Sequence, residues 1–147
     1  MSHIFASLYL GNLQDATEMT DVDLVVNCTP EFPFYAENSK KYRLPFIDDP
    51  QDQDKLFSIL LDPRLFDDMV NYILNEKKIL VHCHAGMSRS PTVVACFMMY
   101  YCKYVQKVDY NLNDIIKYIK GKRSIVFAMG FNFRETLIKY DELLRSQ

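Results

Sequence analysis

The chain of 147 residues is expected to fold as an α/β domain, with a central, mostly parallel sheet of four to five strands flanked by helices on both faces and with residues 1–147 forming a single unit. Three observations predict this. Short apolar runs alternate with segments of helical periodicity, the pattern of strands joined by crossover helices. No Asn-Gly or Asp-Gly hairpin signal links any two of the runs. Finally, 49% of the residues are apolar and include ten Tyr and ten Phe, while Gly and Pro are few and scattered, so one core forms without linkers or repeats.

Taken in order, Leu8-Tyr9-Leu10 and Leu24-Val25-Val26-Asn27 read as short buried strands, closed by the turn-prone pairs Gly11-Asn12 and Thr29-Pro30. Tyr42-Arg43-Leu44 is a third. From Asp54 to Lys78 the apolar positions Leu65, Phe66, Met69, Val70, Ile73 and Leu74 recur at helical spacing, and Pro63 divides the run in two. Ile79-Leu80-Val81 is an apolar strand. Helical periodicity returns from Arg89 to about Tyr104, with Pro91 tolerated in a first turn. Asn113 to Lys120 and Phe133 to Leu144 complete the helices.

Charge and cysteine usage narrow the function classes. Residues 1–75 hold 13 acids and 5 bases, a net of −8, and residues 76–147 hold 6 acids and 12 bases, a net of +6. An anionic substrate would meet the second half, although solvated helix faces account for much of the same asymmetry. Cys28, Cys83, Cys96 and Cys102 follow no disulfide spacing and are expected to be reduced thiols. With no basic start followed by an apolar run, and nowhere 18 apolar residues in succession, the expected location is the cytosol or nucleus. No membrane or nucleic-acid partner is expected.

One stretch carries chemistry. In "VHCHAGMSRSPT" (Val81–Thr92) a cysteine lies at the carboxyl end of a predicted strand, and an arginine six positions later opens the next helix. Ligands of open α/β sheets bind at such strand ends. The backbone N–H groups between Cys83 and Arg89 can converge on an anion, the helix N-terminus adds partial positive charge, and Gly86 allows a backbone angle that a side chain would block. Arg89 offers a planar fork matching two phosphate oxygens. The same positive surroundings favour a thiolate, which can attack phosphorus in line. Four cysteines among six arginines give a chance C-x₅-R about 16% of the time, and requiring Gly86 as well lowers this below about 0.5%.

The stretch resembles the signature H-C-x-x-G-x-x-R-S of the cysteine-dependent dual-specificity protein phosphatases, in the "AGxSRSPT" form. "LYLGN" (8–12), "VVNCTPEFPF" (25–34), "YRLPFIDD" (42–49) and "FNFRETLIKYDELL" (131–144) are similar to other segments of that family. The resemblance implies metal-free hydrolysis of phosphotyrosine and phosphoserine/threonine in protein substrates, with no cofactor. It implies Cys83 as nucleophile, Arg89 as phosphate clamp, and Ser90 as the hydroxyl that assists thiolate departure. His84, Ala85, Gly86, Met87, Ser88 and Arg89 would form the phosphate loop, with His82 supporting it. His84 stands at a variable position of the family, so simple exposure is the favoured reading for it.

The leaving oxygen needs a proton, and a carboxylic acid on a neighbouring loop can supply it. "IDDPQDQD" offers Asp48, Asp49, Asp52 and Asp54. The family pattern selects Asp48, with Asp49 as runner-up. Cys28 is either a small buried residue or a resolving thiol for an oxidised Cys83. A metal clip of His82, Cys83 and His84 is disfavoured because consecutive side chains diverge and no fourth ligand is evident.

Two departures stand out. Many family members carry Pro-Asn before the last helix, the Asn buttressing the phosphate loop, whereas here Met129-Gly130 occupies that place and Asn132 is a candidate substitute. The segment "YCKYVQKVDYNLND" is longer than usual. Lys103, Lys107, Lys117, Lys120, Lys122 and Arg123 are either a steering surface for anions or a solvated face. Three functions compete: a protein phosphatase, a phosphatase of phosphoinositide or RNA 5′ phosphate, and a silent phospho-binding module. The loop His84–Ser88 lacks the lysines of inositol-lipid enzymes and the "HGxNR" form of RNA-directed relatives. Intact Cys83, Arg89, Ser90 and Asp48 oppose the silent module.

Overall fold

Strands of four residues suffice for the sheet because each is paired along its length: β1 (Ser2–Phe5), β2 (Leu8–Gly11), β3 (Leu24–Asn27), β4 (Lys40–Arg43) and β5 (Ile79–His82). In the computed structural model, which describes residues 1–147, they lie in the order β1-β2-β5-β3-β4. β5 is parallel to both β2 and β3, and β3 is parallel to β4. This explains the sequence of β5: a central parallel strand is covered on both faces, and all four of its residues are buried.

The helices are α1 (Leu13–Glu18), α2 (Gln53–Leu60), α3 (Arg64–Leu74), α4 (Arg89–Tyr101), α5 (Leu112–Lys122) and α6 (Arg134–Arg145). They divide unequally between the faces. One face carries α1 and the chain after β3, closing a small core of Ala16, Met19, Val22, Val25, Ala36 and Leu80. The other carries the large core, centred on Phe97 of α4, whose ring meets Phe5, Phe66 and Tyr101. No helix is long and apolar enough to cross a membrane.

Three elements differ from expectation. β1 forms an antiparallel hairpin with β2 through Ala6 at φ 49°, a turn without the Gly or Asn that would have marked it. Asn12 ends no strand by itself. It caps α1 through a reciprocal pair: the Asn12 side chain accepts from the Asp15 amide, and the Asp15 carboxylate accepts from the Asn12 amide. The third expected strand starts two residues and ends one residue earlier than expected, because Lys40–Arg43 pairs with Leu24–Asn27.

The long segment after α4 also finds its place. A π-helical turn, Cys102–Gln106, ends at Lys107 in the left-handed region, φ 54°. Lys103 there donates to the carbonyls of Leu144 and Gln147, and the Arg145 guanidinium lies 4.6 Å above the Tyr110 ring. The segment therefore packs against the end of α6. Lys103 is engaged in structure and is not a free steering charge.

Candidate active site

Cys83 directly follows the central strand, at the end of the sheet where the neighbouring strands finish with Gly11 and Asn27. It is almost fully buried, 2% exposed, and its Sγ accepts from the Gly86 amide at 3.2 Å and lies 3.2 Å from Ser90 Oγ. The Gly86 amide can only donate, and the Ser90 hydroxyl can turn to donate as well.

The loop that follows shows why these residues form a cradle. Every carbonyl from Cys83 to Ser88 is bonded to the surrounding structure. His82 Nδ1 meets the Cys83 carbonyl at 3.3 Å, and the Leu13 amide donates to that of His84 at 2.9 Å. Arg123 donates to the carbonyls of Ala85, from Nη2 at 3.3 Å, and Gly86, from Nε at 2.9 Å. The Phe127 amide takes Met87 at 2.7 Å, and Thr92 takes Ser88 through its amide and hydroxyl. The amides of His84, Ala85, Met87 and Ser88 make no bond to the protein. With the carbonyls turned outward, the N–H groups remain for an anion.

Gly86 is required twice over. Its φ is +67°, and a Cβ there would lie 2.7 Å from the Gly11 carbonyl oxygen and 2.6 Å from Arg123 Nη2. Arg89 opens α4 and lines the same pocket, of about 230 Å³, which also takes in Asp48, His84, Met129 and Asn132. Its only protein partner is the Phe46 carbonyl, met by Nη1 at 3.3 Å, so most of the fork is free.

Asp48 and Asp49 have different fates. Asp48 faces the pocket, its Oδ1 accepting from Ser88 Oγ at 2.8 Å and Asn132 Nδ2 at 3.0 Å. The Asp49 carboxylate instead caps the short turn Pro50–Asp52 by accepting from the Gln51 amide. Asp52 is tied to the Ile47 amide and Asp54 to Lys139.

His82 is fully buried and His84 exposed, so the two do not share a site. The Cys83 carbonyl only accepts, so His82 Nδ1 carries the proton and Nε2 is left as a buried acceptor without a partner. Burial pushes the His82 ring below the ordinary imidazole pKa and keeps it neutral. Burial likewise pushes the Cys28 thiol well above its ordinary pKa, which favours its protonated form. No group of three or more metal-ligating side chains is present.

A family model described as the catalytic domain of dual specificity phosphatases matches residues 8–143. The chain belongs to the dual specificity phosphatase family. It is 31% identical over 149 residues to the 123R protein of Invertebrate iridescent virus 6, named a tyrosine phosphatase, covering 97% of this chain and 93% of that one. With human dual specificity protein phosphatase 9 the identity is 28% over 151 residues. That match covers 97% of this chain and 36% of the relative, so the chain spans about a third of its length. The crystal structure of human DUSP28 is 25% identical with a TM-score of 0.83, covering 100% of this chain and 99% of that one.

Within this dual specificity phosphatase fold, some site residues escaped sequence reasoning. Arg123 is no steering charge, because it holds two loop carbonyls and Ser2 Oγ. Leu13 and Phe127 contribute only backbone amides, for which no side-chain signal exists. Phe32 stacks on His84, ring centroids 5.5 Å apart, and its carbonyl is held by Asn27 and Arg43. Asn132 reaches the acid-bearing loop and makes no bond to the phosphate loop.

Proposed function

We propose that this domain hydrolyses phosphate monoesters on tyrosine and on serine or threonine of proteins through a cysteinyl-phosphate intermediate. The observation that carries the reading is the loop itself. Its six carbonyls are bound outward, the amides of His84, Ala85, Met87 and Ser88 are left for an anion, and a Sγ in contact with the Gly86 amide and Ser90 Oγ lies at its start.

In the first step Cys83 Sγ attacks phosphorus while the bond to the leaving oxygen breaks, and Asp48 gives that oxygen its proton. Arg89 grips two equatorial oxygens as their charge develops. In the second step water attacks phosphorus, Asp48 takes back a proton, and Sγ departs as a thiolate that accepts a hydrogen bond from Ser90 Oγ. His82, neutral and buried, fixes the strand end from which the loop departs.

The phosphoinositide and RNA 5′ phosphate readings use the same chemistry, and no lysine of the loop favours them. The test is hydrolysis of p-nitrophenyl phosphate in chelator by the wild type and by Cys83→Ser, followed by phosphopeptides and phosphoinositides. Turnover by the wild type alone, with phosphopeptides preferred, is expected. Retained turnover in Cys83→Ser would overturn the mechanism, and preference for the lipid would overturn the substrate class.

A further inference from the structure

We propose that Asn132 is a positioning residue for the proton donor: with Ser88 it fixes Oδ1 of Asp48, so that the proton passes to the leaving group from Oδ2. The inference rests on the reading of Asp48 as general acid and goes beyond it, because it assigns a role to a residue outside both the phosphate loop and the acid loop.

Asp48 is exposed on a short loop, where an unrestrained carboxylate would sample several rotamers. Three bonds restrain it. Ser88 Oγ donates to Oδ1 at 2.8 Å, and Asn132 Nδ2 donates to Oδ1 at 3.0 Å and to the Asp48 carbonyl at 3.3 Å. A carbonyl only accepts, so the NH₂ end of the Asn132 amide must face it. One amide group thus clamps the backbone and the side chain of the same residue.

Asn132 is itself well placed to do this. The adjacent Phe133, 1% exposed, packs edge-on against Phe46, two residues before Asp48, with ring centroids 5.2 Å apart. On the far side of Asp48, Gln53 accepts from the Glu135 amide at 2.8 Å through its side chain and from Thr136 Oγ1 at 3.0 Å through its carbonyl. The acid loop is therefore strapped to the start of α6 both before and after the acid. Ser88 is free to join because its hydroxyl makes no cap bond to α4.

Two donors on one oxygen decide where the acidic proton resides. A proton on Oδ1 would compete with both N–H and O–H donors, so it sits on Oδ2, which has no protein partner. As the bond between phosphorus and the leaving oxygen breaks, the Oδ2–H bond breaks with it and the proton moves to that oxygen. The carboxylate that remains keeps both donors on Oδ1.

The experiment compares kcat/KM for phenyl phosphate, a poor leaving group, with that for p-nitrophenyl phosphate, a good one, together with competitive inhibition by inorganic phosphate. The proteins are the wild type, Asn132→Ala, Asn132→Leu, Asp48→Asn and the Asp48→Asn/Asn132→Ala double variant. Asn132→Leu keeps nearly the same side-chain size and removes the donor without adding charge, so it guards against misfolding of the alanine variant. Each single Asn132 substitution is expected to lower kcat/KM for phenyl phosphate about tenfold, and that for p-nitrophenyl phosphate less than about threefold. Phosphate inhibition stays unchanged, and Asn132→Ala adds nothing once Asp48 is Asn. Equal losses on both esters, weakened phosphate inhibition, or a loss that persists in the Asp48→Asn background would overturn the inference. Absence of any leaving-group dependence in Asp48→Asn itself would overturn the reading of Asp48 on which it rests.

Discussion

Arg123→Lys tests how the phosphate loop is held open. Arg123 spans three partners, with the Gly86 carbonyl at 2.9 Å, the Ala85 carbonyl at 3.3 Å and Ser2 Oγ at 3.2 Å. The first has good geometry and the other two are long, so the two bonds to the loop are together worth about 2 kcal/mol, less than two well-formed bonds from a charged donor at about 1.5 kcal/mol each. A lysine keeps the charge but cannot reach two neighbouring carbonyls with a rigid fork. If the whole of that energy falls on the balance between the outward-bound loop and alternatives, their equilibrium constant shifts by about 30-fold and the competent fraction drops by up to that factor. The assay is kcat/KM on p-nitrophenyl phosphate alongside the inhibition constant for inorganic phosphate, with thermal melting as a control on folding. Both kinetic quantities should worsen in parallel while the melting temperature falls by only a few degrees, about 2–4 °C per kcal/mol for a chain of this size. Kinetics within twofold of the wild type would refute the argument and leave the loop self-supporting.

Gly86→Ala should be more severe, because φ +67° and the 2.7 Å approach to the Gly11 carbonyl add together; a loss of about 2–4 kcal/mol in urea unfolding is expected, and a loss below about 0.5 kcal/mol would mean that the turn rearranges freely. Asp49→Asn should keep most of the activity, since an Asn caps the turn at Pro50 nearly as well as Asp; a steep loss on phenyl phosphate would transfer the acid role to Asp49. His82 predicts a pH effect on stability. Its folded pKa is depressed below 6.5, so the unfolded chain binds the extra proton, and stability falls as pH drops from about 7 towards the folded value. Urea midpoints between pH 7.5 and 5 should fall less steeply in His82→Asn, and an identical slope would show that the ring charges as easily folded as unfolded.

Residues near one another in the chain were legible and residues brought together by the fold were not. Ile79–Arg89 announced its strand, loop and helix because an apolar strand, a glycine and an arginine lie within eleven positions. β1 was hidden because Ala6 turns a hairpin that its composition does not advertise. α1 was hidden because six residues with a single buried side chain, Ala16, leave no periodicity to read. Asp48 and Asp49 have the same chemistry. What separates them is a cap one turn away for Asp49 and, for Asp48, an amide 84 residues further along. Arg123 looked like one more base on a solvated helix, and only the return of α5 towards β1 brings it under the loop.

The outward-held carbonyls also bear on portability. A peptide of sequence Val81–Thr92 would contain the thiol, the arginine and every loop amide that an anion could meet. Four of its six loop carbonyls, those of His84, Ala85, Gly86 and Met87, are restrained by Leu13, Arg123 and Phe127, none of which it contains. In water those carbonyls would be free to turn inward and present negative ends to the ligand. Grafting the motif into another protein therefore transfers its spelling and loses its polarity, unless the host supplies a cation and two amides at the back of the loop.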